Sequence, residues 1–165
     1  MKTLNPFMSS CLVLAALAQS APAAAHEPKS APPVAASLPP ATSAAAMVVD
    51  AFHAALKRGD TNAAAALLTT DALIFESGGV ERSKAEYASH HLAADAAFAK
   101  ATTRSVTKRS GRTVSDLAWI ATEGTTKGTY KDRAINSVST ETMVLRRENG
   151  SWRIVHVHWS SANVK

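Results

Sequence analysis

Apolar residues recur along this chain in two rhythms, and over one stretch in none. From Ser43 to Arg58, Val48, Phe52, Ala55 and Leu56 fall at three- and four-residue steps, which gathers them on one face of a helix. Gly59 follows as a C-terminal cap. Asp60 then caps a second, Ala-rich helix from Thr61 to Leu68, with Leu67 and Leu68 as its core contacts. The rhythm changes to two in Asp71–Ser77, where Leu73 and Phe75 take one face of a strand and Ile74 and Glu76 the other. Gly78 and Gly79 stop that strand. Ser83-Lys84-Ala85-Glu86 has the spacing of a capping box and opens a third helix to about Lys100. Tyr87, Ala94 and Phe98 form its apolar stripe, flanked by His90 and His91.

Strand patterning dominates the remainder. Ala101–Lys108 is rich in Thr and Val, and Gly111 follows a turn. Val114–Thr126 carries Leu117, Trp119 and Ile120. In Asn136–Arg147, Val138, Thr140, Thr142 and Val144 alternate with Ser139, Glu141, Met143 and Leu145. Glu148-Asn149-Gly150 predicts a hairpin turn, because Asn-Gly tolerates the positive φ angles such turns require. Ser151–Ser161 is the last strand. Three helices followed by long strands with short turns predict an α+β domain, the helices packed on a curved antiparallel sheet.

The stretch without rhythm lies at the other end. All seven prolines precede residue 41 and all seven glycines follow residue 58. Lys2, an apolar run from Cys11 to Ala18 and the small-residue site Ala23-Ala24-Ala25 have the three-part form of a secretory signal peptide, placing cleavage after Ala25. The apolar run is far shorter than the roughly 20 residues that span a bilayer, so no membrane anchor is expected after cleavage. Cys11 begins the apolar run instead of ending it, which argues against a lipid anchor. As the only cysteine it leaves with the signal, and the mature chain then has no disulfide. Residues 26–46, rich in Pro, Ala and Ser, read as a disordered tether. Residues 47–165 remain as one domain, and the expected location is periplasmic or secreted.

The net charge of +5 raises the question of nucleic acid. Arg104, Lys108, Arg109 and Arg112 cluster, as do Lys127, Lys131 and Arg133, but no aromatic platform interleaves with them. They read as a solvated outer sheet face, and no nucleic-acid partner is expected.

Three segments carry a resemblance. They are Val49-Asp50-Ala51-Phe52-His53 through Gly59-Asp60, Ile74-Phe75-Glu76-Ser77-Gly78-Gly79, and the final hairpin from Glu141 to Ser160 with its Gly150-Ser151-Trp152-Arg153-Ile154-Val155-His156 run. Together they resemble the NTF2-like superfamily, specifically SnoaL-like and DUF4440-type proteins. The resemblance implies a cone-shaped α+β fold, also called cystatin-like, with a pocket at its open end, and a homodimer. That superfamily spans ketosteroid isomerases, polyketide cyclases, dehydratases and non-catalytic binding domains, so fold does not select activity.

Candidate chemistry centres on His156-Val157-His158. Strand alternation puts both imidazoles on one face with Trp152, Ile154 and Ser160, at a spacing where two neutral rings can share a metal ion. In a cone fold His90 and His91 approach these strands. A set of His156, His158 and His90, with Glu76 as an added carboxylate, would suit a divalent transition metal such as zinc, copper or iron. The alternative for the same residues is a polar pocket wall. Glu76 and His156 are the catalytic candidates, Glu76 as a general base if desolvated. Tyr87 and Trp152 join the expected lining, Tyr87 as a donor to a ligand carbonyl. The leading functional reading is an exported pocket domain binding a small, largely apolar molecule. An acid–base isomerase, cyclase or hydrolase, a metal-dependent enzyme, and a dimeric interaction module are the alternatives.

Overall fold

The computed structural model describes residues 38–164. The expected signal peptide, residues 1–25, and residues 26–37 of the expected tether lie outside the described residues.

Helix α1 spans Pro40–Arg58 and so begins three residues before the expected Ser43. Pro40 suits the first helical position, where its missing N–H would be unpaired anyway. Residues 40–46, expected as tether, are therefore helical, and Thr42, Ala45 and Ala46 are buried. Their small side chains hide any periodicity in the sequence, but they permit close approach to the sheet. A Cβ added at Gly111 would lie 3.0 Å from Thr42 Cγ2 and 2.8 Å from Ile120 Cδ1. At the other end Gly59 closes the helix in the left-handed region, φ 75°.

Helix α2, Thr61–Ala66, is capped by Asp60, whose carboxylate accepts from Ala63 N–H at 2.9 Å. It stops short of Leu68, which instead starts strand β1, Leu68–Glu76. β2, Gly79–Glu81, folds back on β1. Ser83 caps α3, Lys84–His90, by accepting from Glu86 N–H at 3.0 Å. The expected third helix is interrupted at His91, and α4, Leu92–Ala101, continues from there, giving four helices among the described residues. Leu92 and Ala96, not Ala94, face the core from α4.

Long strands follow: β3, Thr102–Val114; β4, Leu117–Tyr130; β5, Arg133–Glu148; and β6, Ser151–Asn163. No turn interrupts β3 near Gly111; a bulge at Thr107 takes its place. Two-residue turns join these strands at Ser115-Asp116, Lys131-Asp132 and Asn149-Gly150. Lys131, Asp132, Asn149 and Gly150 all have positive φ, as right-twisted hairpins demand. The sheet order is β2-β1-β6-β5-β4-β3. β1 pairs with β6 in parallel, so the six-stranded sheet is mixed, not purely antiparallel as expected. Helices α3 and α4 cause this. They carry the chain from β1 to the far edge, and the three following hairpins bring it back alongside β1.

The helices cover one face of the sheet, and rows across that face change character along the strands. One row, Ile74–Val157–Met143–Ile120, is buried and apolar and meets Phe52 and Val49 of α1 in the core. Two residues along, the row is Glu76–Trp159–Glu141–Thr122–Arg109. Beyond it lie Ser161–Ser139–Gly124, then Ser137–Thr126–Arg104. The core thus gives way to charge and then to hydroxyls.

Candidate functional site

A cavity of about 430 Å³ opens where the inner face turns polar. Its floor is the row Glu76–Trp159–Glu141 with Ser137, Ser139, Ser161, Thr126 and Arg104. α1 contributes His53, Ala54, Leu56 and Lys57, and α4 contributes Asp95, Phe98 and Ala99.

One end of the cavity is organised by Glu141, only 4% exposed. Strand alternation puts it on the inner face with Met143 and Leu145, directly opposite Trp159 on β6. Trp159 Nε1 donates to Glu141 Oε2 at 2.8 Å, and its ring stacks on Phe52. His53 Nε2 lies 2.6 Å from the same oxygen, and Arg104 Nη2 donates to Oε1 at 3.3 Å. Burial by itself would raise the carboxyl's pKa. The His53 bond, the charges of His53 and Arg104 and the Trp159 donor outweigh burial and hold it below the usual carboxylate range. Glu141 is therefore an ionised carboxylate enclosed by donors.

The other end carries two carboxyls whose pKa values are both raised, the reverse of Glu141. Asp95 Oδ2 accepts from the Tyr87 hydroxyl at 2.7 Å, and Glu76 sits nearby at the solvent-exposed end of β1. Desolvation raises the pKa of Asp95 against the Tyr87 bond and the His91 charge, which lower it. Desolvation and then the Asp95 charge raise that of Glu76, although Glu76 keeps contact with solvent. Lys57 is committed elsewhere, donating to Thr102 O at 2.5 Å.

The residues singled out in the sequence do not all arrive here. Glu76 lines the cavity. Tyr87 is fully buried and lines a second cavity of about 330 Å³ with Glu76, Glu81 and His91. His91 Nδ1 pairs with Glu81, whose bond and charge raise the imidazole's pKa. His90 is exposed beside His91 and outside both cavities. Trp152 is buried near the last turn, under the Arg147 guanidinium at 4.7 Å.

His156 and His158 are on the opposite, outer face of the sheet. The cause is a bulge: Leu145 pairs with Ile154 but Val144 pairs with His156, leaving Val155 as the extra residue. Alternation restarts after it, so Val157 and Trp159 point inward and the histidines outward. His156 Nδ1 lies 3.1 Å from Leu73 O, and its ring packs edge-on against Phe75. The expected ligand set of His156, His158 and His90 does not converge. Among the described residues no three His, Cys, Asp or Glu side chains are grouped to hold a metal ion.

Two basic residues assigned to a solvated outer face also point inward. Arg104 meets Glu141, and Arg109 Nη1 meets Asp50 at 2.8 Å. His53, Glu141 and Asp95 went unmarked as site residues in the sequence. The available signal was a charged residue in an apolar rhythm: Glu141 in register with Met143 and Leu145, and Asp95 as the one acid in an Ala-rich helix.

Residues 46–164 match the family model described as SnoaL-like domain. A protein of Shewanella frigidimarina, provisionally named a ketosteroid isomerase, is 40% identical, with TM-score 0.68 over 71% of this chain and 94% of its own. Two more distant structures share the fold. A provisionally named dehydratase of the NTF2-like family from Streptomyces avermitilis is 17% identical, with TM-score 0.65 over 76% of this chain and 96% of its own. The CaMKII hub of S. rosetta is 19% identical, with TM-score 0.63 over 73% of this chain and 96% of its own. No curated protein matches the chain.

Proposed function

This chain belongs to the SnoaL-like domain family of the NTF2-like superfamily, and from that premise we propose that it is an exported protein binding a small, largely apolar molecule. The observation that carries the reading is the cavity of about 430 Å³, within the range of small-molecule sites. Phe98, Ala54, Leu56, Ala99 and Trp159 give it apolar walls, and a few convergent polar groups supply orientation. An uncharged apolar fluorophore, N-phenyl-1-naphthylamine, should therefore saturate one site per chain and raise the melting temperature. Unsaturable binding would reject the reading.

Export is supported by Lys2, the Cys11–Ala18 run and Ala23-Ala24-Ala25. Full-length chain made in a Gram-negative host should be recovered from the periplasm with His26 as its first residue. Retention in the cytoplasm with Met1 intact would refute this.

A second reading, acid–base catalysis, is favoured by one observation. Asp95 and Glu76 face one cavity with pKa values raised by desolvation, the environment that prepares a carboxyl for proton transfer. The provisional isomerase and dehydratase names of similar structures agree with it.

Self-association is supported by the outer sheet face. The row Leu73–His156–Val144–Trp119 crosses four strands, and Leu73, Phe75 and Trp119 are 39%, 36% and 41% exposed. A second copy covering this face would make a homodimer with the histidines at the interface.

A further inference from the structure

The bulge at Val155 sends His156 and His158 away from the cavity and side by side onto the outer face of β6. A backbone carbonyl only accepts, so the 3.1 Å contact with Leu73 O puts the proton of neutral His156 on Nδ1. Its Nε2 then presents a bare lone pair. Metal-binding histidines have this arrangement, with one ring nitrogen tied to a carbonyl and the other open. His158 is exposed and makes no hydrogen bond among the described residues. Phe75 lies edge-on to both rings, 5.0 Å from His156 and 6.2 Å from His158, and keeps them together. The two imidazole centroids are 6.4 Å apart. An ion about 2.0–2.1 Å from each donor nitrogen spans two rings up to roughly 6.5 Å apart. A turn of the unbonded His158 ring therefore lets one ion reach both.

Two ligands leave a tetrahedral site half built. No third His, Cys, Asp or Glu joins the pair among the described residues. Asp71 and Glu123, acids of the same face, are paired with Arg146 and Lys108 instead. The pair's neighbours in register are apolar or uncharged: Leu73 and Val144 beside His156, Phe75 and Thr142 beside His158. Such a face meets its own copy without burying an unpaired charge, and a two-fold axis doubles whatever lies on it.

We propose that His156 and His158 are half of a zinc site, completed by the same two side chains of a second copy. This rests on the outer-face homodimer proposed above and adds the ion that regulates it. Four neutral imidazoles at the two-fold axis hold one divalent ion of borderline softness. The ion binds the pair of chains in preference to the single chain, so it draws the equilibrium toward the dimer.

Untagged protein, stripped with a chelator, is titrated with zinc chloride and followed by sedimentation and by metal analysis after dialysis. Zinc should bind at one ion per two chains and tighten self-association at least tenfold, and chelator should reverse both. Cobalt in its place should give the strong visible absorption of a four-coordinate ion. His156→Ala and His158→Ala should each lose the zinc response and keep a cooperative melt. His90→Ala, an exposed site away from the pair, should keep the response. No bound zinc, one ion per chain without a change in mass, or a full response in either of the first two variants would each overturn the proposal. If Trp119→Glu halves the mass but the wild type ignores zinc, only this inference falls. If the wild type stays monomeric with and without zinc, the outer-face dimer falls and takes this inference with it.

Discussion

Glu141 shows how much one buried charge depends on its neighbours. Three donors reach its two oxygens, and without them burial would favour the neutral acid. Glu141→Gln keeps the shape but weakens every bond, and should cost about 1–3 kcal/mol at neutral pH. The pH dependence has a definite sign. The folded pKa of Glu141 lies below its unfolded value, so its contribution is complete above the ordinary carboxylate range. It is lost as pH falls through the folded pKa. Asp95 has the opposite sign: its raised pKa penalises the folded state increasingly as pH rises through it. Urea melts from pH 7 downward should therefore show a smaller loss of stability for Glu141→Gln than for the wild type. Parallel curves would mean that Glu141 carries no depressed titration.

At the scale of elements, β6 decides the face of every residue in its second half. Alternation from Trp152 puts His156 and His158 inside, and the bulge at Val155 reverses that. Much else in the elements was legible beforehand: the Asp60 and Ser83 caps, the Gly59 stop, the Asn149-Gly150 turn and the face taken by Glu76 all follow from local chemistry. A bulge does not, because it is set by the partner strands and leaves no mark on the residue that is accommodated. The break at His91 and the parallel β1–β6 pair are likewise properties of the whole sheet and helix layer. A paired deletion tests the account. Removing Val155 removes the accommodated residue and keeps Trp159 inward, so the variant should retain a cooperative melt. Removing Val157 while the bulge stays puts His158 in the core and turns Trp159 outward, and should abolish the melt. The reverse order of tolerance would refute the bulge.

At the scale of the whole molecule, one sheet serves two surfaces. Its inner face grades from apolar core through the Glu76–Trp159–Glu141 row to the hydroxyls of Ser137, Ser139 and Ser161, which is why the core opens into a cavity at one end. Its outer face is apolar enough to be costly in water, and Trp119 lies within it. For the homodimer proposed on this face, Trp119→Glu should halve the mass seen in sedimentation while leaving the melt cooperative, and unchanged mass would remove the outer face as an interface. The family resemblance carried the fold class of the domain, but not the site. His53, Glu141, Asp95 and Trp159 come from α1, β5, α4 and β6, and only their packing brings them to one cavity.

The proposed occupant of this cavity is a small, largely apolar molecule. Ser139 faces it from β5 without joining the hydrogen bonds around Glu141, so Ser139→Phe fills the space and spares the network. The direct measurement is fluorescence titration of the wild type and Ser139→Phe with N-phenyl-1-naphthylamine, with melts of both. The account predicts saturable one-site binding by the wild type and at least tenfold weaker binding by a variant that still melts cooperatively. Equal binding by the two proteins would place the ligand elsewhere and contradict it.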